Sequence, residues 1–224
     1  ALAGAPELRD LVLSTSAASA ADLSLLLTLP RLERLHLNGL RLSDADLEQL
    51  AGAPKLRRLV LHRVTGPSGA GVAALGRLTQ LRLSETELAG PHELARAPRL
   101  RRLDVRGVEL PELRLLGARS LVDVDIDVSA TDEDGLAELL ADRRRLRTFH
   151  YPLRDPALLA GCTALEGLTL HGDAPLPDLA LLQHLPVRAV RVLCAPSQQR
   201  AEELLERAAL VWPGLMSTGW RQDW

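Results

Sequence analysis

A six-residue pattern of apolar positions recurs along the chain. Its first, fourth and sixth positions are leucine or another apolar residue, and nine copies start 19 to 25 residues apart. The copies begin at Leu8, Leu32, Leu56, Leu78, Leu100, Leu121, Leu146, Leu165 and Val187. Since the fourth and sixth positions are two residues apart, they point to one face of a short strand. The pattern therefore predicts nine short strands with one buried face each, including Phe149 and Tyr151 in the seventh.

Alanine- and leucine-rich stretches lie between the predicted strands. Residues 46–50 and 136–140 are examples, and both predict short helices. One strand and one helix cannot bury their own apolar edges, so stacked units are expected to share a continuous core. The predicted class is α/β, a right-handed solenoid (horseshoe) of about nine repeats with a parallel β-sheet on the concave face and short helices on the convex face.

The recurring motif resembles the leucine-rich-repeat family along the whole chain. The resemblance implies a recognition surface and no catalytic site. The irregular repeats also resemble the C-terminal sensor part of NLR-like multidomain switch ATPases. One departure is that the family's common asparagine, three residues after the last strand leucine, is missing: Leu40, Val64 and Thr86 stand there instead. The loop backbone groups must then find other hydrogen-bond partners.

The two ends of the sequence differ in character. Residues 2–6 and 50–54 both read Leu-Ala-Gly-Ala-Pro, so we expect the chain to begin within a repeat and further domains to lie upstream. The solenoid is assigned to residues 1–196 and a helical cap with a tryptophan-rich tail to residues 197–224, with Ser197 as the helix N-cap. Trp212, Trp220 and Trp224 then either cover the open sheet edge or form a second contact with another domain or chain.

Composition excludes several classes of protein. The net charge of -2 gives no overall attraction to nucleic acid or to an anionic membrane. No segment approaches the roughly 18 apolar residues that a membrane span needs. Two cysteines are too few for a disulfide framework, which favours a cytoplasmic location. The abundance of arginine, alanine and leucine is typical of a GC-rich bacterial genome.

No motif of catalysis or cofactor binding stands out. Gly66 and Gly71 have the separation of a phosphate-binding loop, but Val72 and Ala73 follow where lysine and serine or threonine are required. Cys162 lies three positions before a strand-motif leucine, at a position that other repeats fill with core residues. We therefore predict a protein that is not an enzyme and has no cofactor and no metal ion.

Side chains that alternate with the strand leucines are expected on the concave face. They form three columns, one before, one between and one after the two buried strand positions. The charged and histidine members that we take as candidate partner-binding residues are Arg34, His36, Arg58, His62, Arg82, Arg102, Asp104, Arg106, Asp123, Asp125, Asp127 and His150. Arginines dominate the second to fifth repeats, and aspartates follow beside them.

This division of charge suggests recognition of a protein partner with complementary charge. Alternatively, the charges only solvate an open face. A cation site is disfavoured because carboxylates two residues apart on an exposed strand splay outward, and nucleic acid is unlikely because only Phe149 and Tyr151 offer rings nearby. The predicted function is a protein-recognition module, either a ligand-sensing or a scaffold domain. Alternatives are a non-catalytic inhibitor, a substrate-recognition domain of an enzyme, or a structural spacer.

Overall fold

The computed structural model describes residues 5–14, 23, 26–86, 88–107, 120–127, 140, 143–153, 155–172, 178–193 and 195–220. The chain forms two compact units. The first contains residues 1–121 and 128–132, and the second contains residues 122–127 and 133–224.

The first unit is built on five parallel strands. They are β1 (Asp10–Ser14), β2 (Arg34–Asn38), β3 (Arg58–His62), β4 (Gln80–Ser84) and β5 (Arg102–Arg106). Each pairs with the next in sequence order, and the motif leucines stay in register, as where Leu35 faces Leu59. The strand leucines of β2 to β4 are at most 1% exposed. The strand prediction for these five copies of the motif is confirmed.

Short helices connect the strands of the first unit. Helix α1 (Asp44–Leu50) contains the predicted segment and begins two residues before it. Its N-terminus is capped by Ser43, whose side chain accepts a hydrogen bond from the backbone of Asp46, while the Asp46 carboxylate accepts one from the backbone of Ser43. Helix α2 (Gly69–Ala73) and a 3₁₀ helix (Pro91–Arg96) occupy the next two connections. The other predicted helical segment, residues 136–140, lies outside the described residues except for Leu140.

Each strand of the first unit from β2 to β5 is followed by one residue with a left-handed backbone. These residues are Gly39, Arg63, Glu85 and Gly107, with φ between 47° and 70°. The first three donate their backbone N–H to the last carbonyl of the following strand, at 2.9 to 3.0 Å. Backbone groups at the strand ends are therefore bonded from repeat to repeat without the family's asparagine.

Thr86 takes part in this bonding through its side chain. It stands at the position where the family commonly has asparagine and is 1% exposed. Its hydroxyl accepts a hydrogen bond from the backbone N–H of Val64 at 3.1 Å and donates one to the carbonyl of Ser84 at 3.0 Å. The Thr86 side chain thus binds a loop of the preceding repeat. This agrees with the expectation that another group replaces the missing asparagine as hydrogen-bond partner.

The second unit is also built on five parallel strands. They are β6 (Asp123–Asp127), β7 (Thr148–Leu153), β8 (Gly167–His171), β9 (Ala189–Leu193) and β10 (Ser217–Trp220). Consecutive strands pair in sequence order. Two 3₁₀ helices (Pro156–Leu159 and Leu179–Leu182) and helix α3 (Gln198–Val211) lie in the connections. The first four strands lie at predicted motif positions, and the fifth is an addition to the nine predicted.

The pairing of β7 with β8 corrects one detail of the sequence analysis. Phe149 faces Leu168, but the residue opposite Leu170 is Leu153 and not Tyr151, because the register shifts between them. Pro152 lies in the shifted stretch, and a proline has no N–H to donate to a neighbouring strand. The backbone position opposite Leu170, which the motif predicted for Tyr151, is therefore taken by Leu153.

The C-terminal segment combines a helix and a strand. Helix α3 begins after Ser197, whose side chain accepts a hydrogen bond from the backbone of Arg200 at 3.2 Å, as predicted for its N-cap. Ala201, Leu204 and Ala208 are buried. Strand β10 then pairs with the outer side of β9, so the segment assigned to a cap also extends the sheet.

Candidate functional site

The strand side chains of the first unit that alternate with the buried ones form its polar face. The pairing registers place them in three columns of five residues. The first column is Asp10, Arg34, Arg58, Gln80 and Arg102; the second is Val12, His36, Val60, Arg82 and Asp104; the third is Ser14, Asn38, His62, Ser84 and Arg106. Every candidate residue from β2 to β5 therefore lies on one face.

Two arginines of the first column bond to the neighbouring strand. Arg34 forms an exposed ion pair with Asp10. This hydrogen bond is the main cause that lowers the pKa of the Asp10 carboxyl, and the charges of Arg58 and Arg9 lower it further. Arg58 donates to the side-chain oxygen of Gln80 at 2.6 Å. Side chains in this column thus meet across strands, as they do in directly opposed pairs of a sheet.

Asp104 joins two arginines of the polar face. Its Oδ2 accepts a hydrogen bond from Arg82 Nε at 2.8 Å, and its Oδ1 accepts one from Arg106 Nε at 2.9 Å. The Asp104 residue is only 7% exposed, whereas the arginine side chains are 44% and 45% exposed. One covered carboxylate therefore holds two exposed guanidinium groups in position.

Two histidines, His36 on β2 and His62 on β3, belong to the same polar face. His36 is half-buried, and its Nε2 atom is buried without a hydrogen-bond partner among the described residues. Burial lowers the pKa of His36, and the charges of His62 and Arg82 lower it further. Both effects favour the neutral form of the His36 imidazole over its charged form.

A row of residues at the strand starts was missed by the sequence analysis. Consecutive members are joined by backbone hydrogen bonds of 2.8 to 3.0 Å, from each N–H to the preceding member's carbonyl. The row is Arg9, Glu33, Arg57, Thr79 and Arg101. The backbone N–H groups of Arg57 and Arg58 both donate to the Glu33 carbonyl, so β3 begins with a small irregularity in its hydrogen bonding. The consecutive side chains of Arg57 and Arg58 are both exposed there. The paired arginines at 57–58 and 101–102 were the available signal.

The candidate residues of the second unit are arranged differently. Asp123 accepts a hydrogen bond from the Thr148 hydroxyl at 2.7 Å, and Asp125 faces His150 across strands β6 and β7. The Nδ1 atom of His150 lies 3.0 Å from the Thr169 hydroxyl. The side chain of Asp127 lies outside the described part of the structure, although its backbone belongs to β6.

Metal ligands do not converge in the described part of the chain. No group of three or more histidine, cysteine, aspartate or glutamate residues there has the arrangement to hold a metal ion. In the same part of the chain, no helix has the length and apolar character to cross a membrane. Cys162 is buried, and burial raises the pKa of its thiol to about 11. It has the environment of a core residue and not of an activated thiolate.

The sequence predicts that the tryptophans of the C-terminal segment either cover the open sheet edge or form a second contact. Trp212 is only 5% exposed, and its ring therefore lies in the core and not on the surface. Trp220 belongs to β10, where it faces Val192, but its side chain lies outside the described residues. Trp224 lies outside them entirely. For Trp212 the structure favours the alternative that it covers the core.

Comparison with known structures identifies the architecture. An internalin of Listeria monocytogenes, InlF, is 17% identical over 99% of this chain and 70% of its own, with a TM-score of 0.57. The chain has the leucine-rich-repeat fold. A second internalin of the same organism, internalin C2, is 22% identical over 79% of this chain and 84% of its own, with a TM-score of 0.55.

A third leucine-rich-repeat structure, the complex of TLR13 with ssRNA13, has a TM-score of 0.62 and 16% identity. The match covers 96% of this chain but only 33% of the TLR13 chain. No protein-family model matches the sequence, and no curated protein matches it significantly. These structural similarities establish the fold. Leucine-rich-repeat domains are typically non-catalytic recognition modules.

Proposed function

We propose that this leucine-rich-repeat domain recognises a protein partner through the polar face of its first unit. The observation that carries the proposal is the in-register array of fifteen side chains on strands β1 to β5. Asp104 fixes Arg82 and Arg106, and Gln80 accepts from Arg58, so several charged groups are held in position before any partner arrives. Preorganised groups lose less side-chain entropy on binding, which favours affinity and specificity.

Exposed apolar side chains within the array favour a protein ligand. Val12 is 61% exposed, and Val60, two strands away in the same column, is half-buried. Apolar side chains interspersed with charged groups are typical of protein-protein interfaces. The TLR13 comparison structure contains ssRNA13, which makes RNA the competing ligand. Among the fifteen face residues, however, the only rings are the imidazoles of His36 and His62, so single-stranded bases have little to stack on.

Selection from a random peptide library tests the proposal. Phage displaying random 12-residue peptides are panned on the full chain and on the variant Arg34→Glu/Arg58→Glu/Arg102→Glu. The matched control is Arg41→Glu/Arg188→Glu/Arg207→Glu, which carries the same charge change away from this face. We expect selected peptides to bind the wild type and the control and to lose on the order of tenfold in affinity for the face variant.

Equal affinity of these peptides for all three proteins would contradict recognition through the polar face. Thermal melts of the variants check that each is folded before its affinity is interpreted. Because the three face arginines have exposed side chains, we expect melting temperatures close to that of the wild type.

We further propose that the domain serves as the ligand-sensing part of a larger cytoplasmic protein such as an NLR-like switch ATPase. The irregular repeats support this by analogy of fold alone. The coding sequence upstream of Ala1 provides the test. A phosphate-binding loop there supports the proposal, and a hydrolase or ligase signature contradicts it.

A further inference from the structure

We propose that the strand starts of the first unit bind an acidic protein segment, one rich in aspartate or glutamate. The surface, here called the basic strip, consists of Arg9, Lys55, Arg57, Arg99, Arg101 and Arg102. The inference rests on the proposed function, since it names the chemistry of the partner, and it places the main contact at one edge of the polar face.

The basic strip follows the row of backbone hydrogen bonds at the strand starts, in which Glu33 and Thr79 alternate with its arginines. Arg9, Arg57 and Arg101 belong to the hydrogen-bonded row at the strand starts. Lys55 and Arg99 each precede a motif leucine by one residue, and Arg102 follows Arg101. Since neighbouring strands lie about 4.8 Å apart, positive charges recur along this edge at short intervals.

The charge of this edge is strongly one-sided. Each of strands β1 to β5 has three residues at its start, at the positions one before and one and two after the first motif leucine. These fifteen residues include ten basic and three acidic ones. The nine equivalent residues of β7 to β9 include three basic and one acidic. The first unit therefore has a local positive field that the net charge of the whole chain conceals.

The six residues of the basic strip are exposed. None of them has a side-chain hydrogen bond or ion pair within the described part of the chain. The acidic residues beside them, such as Glu33 and Asp10, are fewer than the positive charges. The remaining excess of like charge is stabilised when an anionic partner arrives. This separates the basic strip from arginines such as Arg63, whose charge is already balanced by Glu85 at 2.8 Å.

The ion pairs of the first two repeats indicate which anionic group the basic strip would bind. Arg31 forms an ion pair with Glu7, and Arg34 with Asp10, in each case with a carboxylate from the preceding repeat. A planar guanidinium matches a carboxylate in a two-pronged geometry. In the later repeats this pairing is incomplete: the residue of the preceding repeat beside Arg101 is the uncharged Thr79, whereas beside Arg57 it is Glu33. Carboxylates of a partner would continue the pairing that the first two repeats begin.

Nucleic acid fits this edge less well. None of the fifteen residues at the strand starts is aromatic, so bases have no stacking platform there. Contacts with phosphates alone would also give a steep dependence of affinity on salt. The acidic segment is the occupant that the observations favour, and RNA becomes an outcome of the test.

Fluorescence anisotropy with defined probes tests the inference on the full chain. The probes are fluorescein-labelled peptides of twelve residues, alternating glutamate with alanine or glutamine with alanine, and a labelled twelve-nucleotide oligouridine. We expect the glutamate peptide to bind on the order of tenfold more tightly than the glutamine peptide. We also expect the variant Arg57→Glu/Arg101→Glu to lose on the order of tenfold in affinity for it.

The control variant Arg188→Glu/Arg207→Glu has the same charge change, and Arg188 occupies the equivalent row of the second unit. We expect it to bind the glutamate peptide about as well as the wild type does. Should the double reversal fail to fold, Arg57→Gln/Arg101→Gln removes the same charges more mildly and must also weaken binding.

Three results would overturn the inference. They are equal binding of the two peptides, equal loss in the control variant, and tighter binding of oligouridine than of the glutamate peptide. Failure here is distinct from failure of the proposed function. If the peptide library yields ligands that depend on the polar face but are not acidic, the recognition function stands and the acidic partner is excluded.

Discussion

At the scale of single residues, Thr86 shows how this chain manages without the family's asparagine. An asparagine side chain has both an acceptor and donors for the loop backbone. A threonine hydroxyl also accepts and donates, and Thr86 uses both capacities while it is almost completely buried. The ends of β2, β3 and β4 rely on backbone-to-backbone hydrogen bonds donated by the left-handed residues that follow them.

Replacing Thr86 with valine tests this role, since valine keeps the shape and removes the hydroxyl. The backbone N–H of Val64 is then left buried without an acceptor, and we expect a loss of about 1 to 3 kcal/mol in the free energy of unfolding. Denaturation in urea measures it. Thr79→Val is the matched control, because the Thr79 hydroxyl donates to the Arg57 carbonyl at an exposed position. Equal losses in the two variants would contradict the role assigned to Thr86.

Cys162 gives a second test at this scale. Its thiol is buried, lies 3.7 Å from the carbonyl of Leu140 and has a pKa raised to about 11. In the variant Cys194→Ser, the remaining thiol should react with iodoacetamide at pH 8 only after unfolding in guanidinium. Rapid labelling of the folded protein, followed by mass spectrometry, would show that the thiol is accessible.

The raised pKa of the Cys162 thiol also determines how its contribution to stability depends on pH. The folded-state pKa lies above the ordinary value of 9, so the unfolded chain loses its thiol proton first as the pH rises. The contribution of Cys162 is fully present below pH 9 and is lost between about pH 9 and 11. In the Cys194→Ser background, Cys162→Ala should reduce this alkaline loss of stability.

At the scale of elements, the sequence predicted the strands of the nine motifs because a period of two apolar positions is a direct consequence of strand geometry. It failed in two places where that period is broken. In β7 the register shift beside Pro152 moves Leu153 into the place expected for Tyr151. In β10, Thr218 and Trp220 replace the usual leucines, so no motif announces a strand there.

Helix α2 shows a second limit of sequence analysis, because its glycines serve close packing. A Cβ atom on Gly69 would lie 2.4 Å from the backbone oxygen of Gly90 in the next repeat. On Gly76, the same atom would meet nothing within 4 Å. Gly66 and Gly71, which give this segment its resemblance to a phosphate-binding loop, also pack closely: a Cβ atom on Gly66 would collide with the backbone oxygen of Leu42, and one on Gly71 with the carboxylate of Asp44. The resemblance is therefore a consequence of contacts between repeats.

We expect alanine substitutions at Gly69 and Gly76 to have different effects on the free energy of unfolding. We expect Gly69→Ala to reduce the free energy of unfolding by about 1 to 3 kcal/mol, since a backbone atom cannot move aside as a side chain can. Gly76→Ala should be neutral or stabilising by up to about 1 kcal/mol, because alanine restricts the unfolded chain. Thermal or urea denaturation of both variants measures the difference, and a loss at Gly76 as large as that at Gly69 would contradict the packing argument.

At the scale of the whole molecule, charge is unevenly distributed between the two parts of the sequence. Residues 1–107 include fifteen basic and eleven acidic residues, and residues 108–224 include twelve and eighteen. The three columns of the polar face were predictable because strand alternation fixes which side chains share a face. The pairing of Arg82 and Arg106 with one covered Asp104 was not, since it depends on side-chain conformations in three dimensions.

Stability should also vary along the stack of repeats. In a repeat protein each unit is covered only by its neighbours, so the same motif position contributes according to how completely it is enclosed. Leu37 of β2 is 0% exposed, whereas its counterpart Leu13 of β1 is half-exposed. Leu37→Ala should therefore cost about 2 to 5 kcal/mol and Leu13→Ala clearly less, because less apolar surface and a smaller cavity are involved.

Hydrogen exchange provides an independent measurement of the same gradient in the unmodified protein. Amides of β1 should exchange faster than those of β2 and β3, because opening β1 exposes less buried apolar surface. Equal costs for the two leucine variants together with equal protection of β1 and β3 would mean that the first repeat is enclosed as fully as the others. In that case the strand starts at Arg9 and Asp10 would be covered as well, and the basic strip would have to begin at the second repeat.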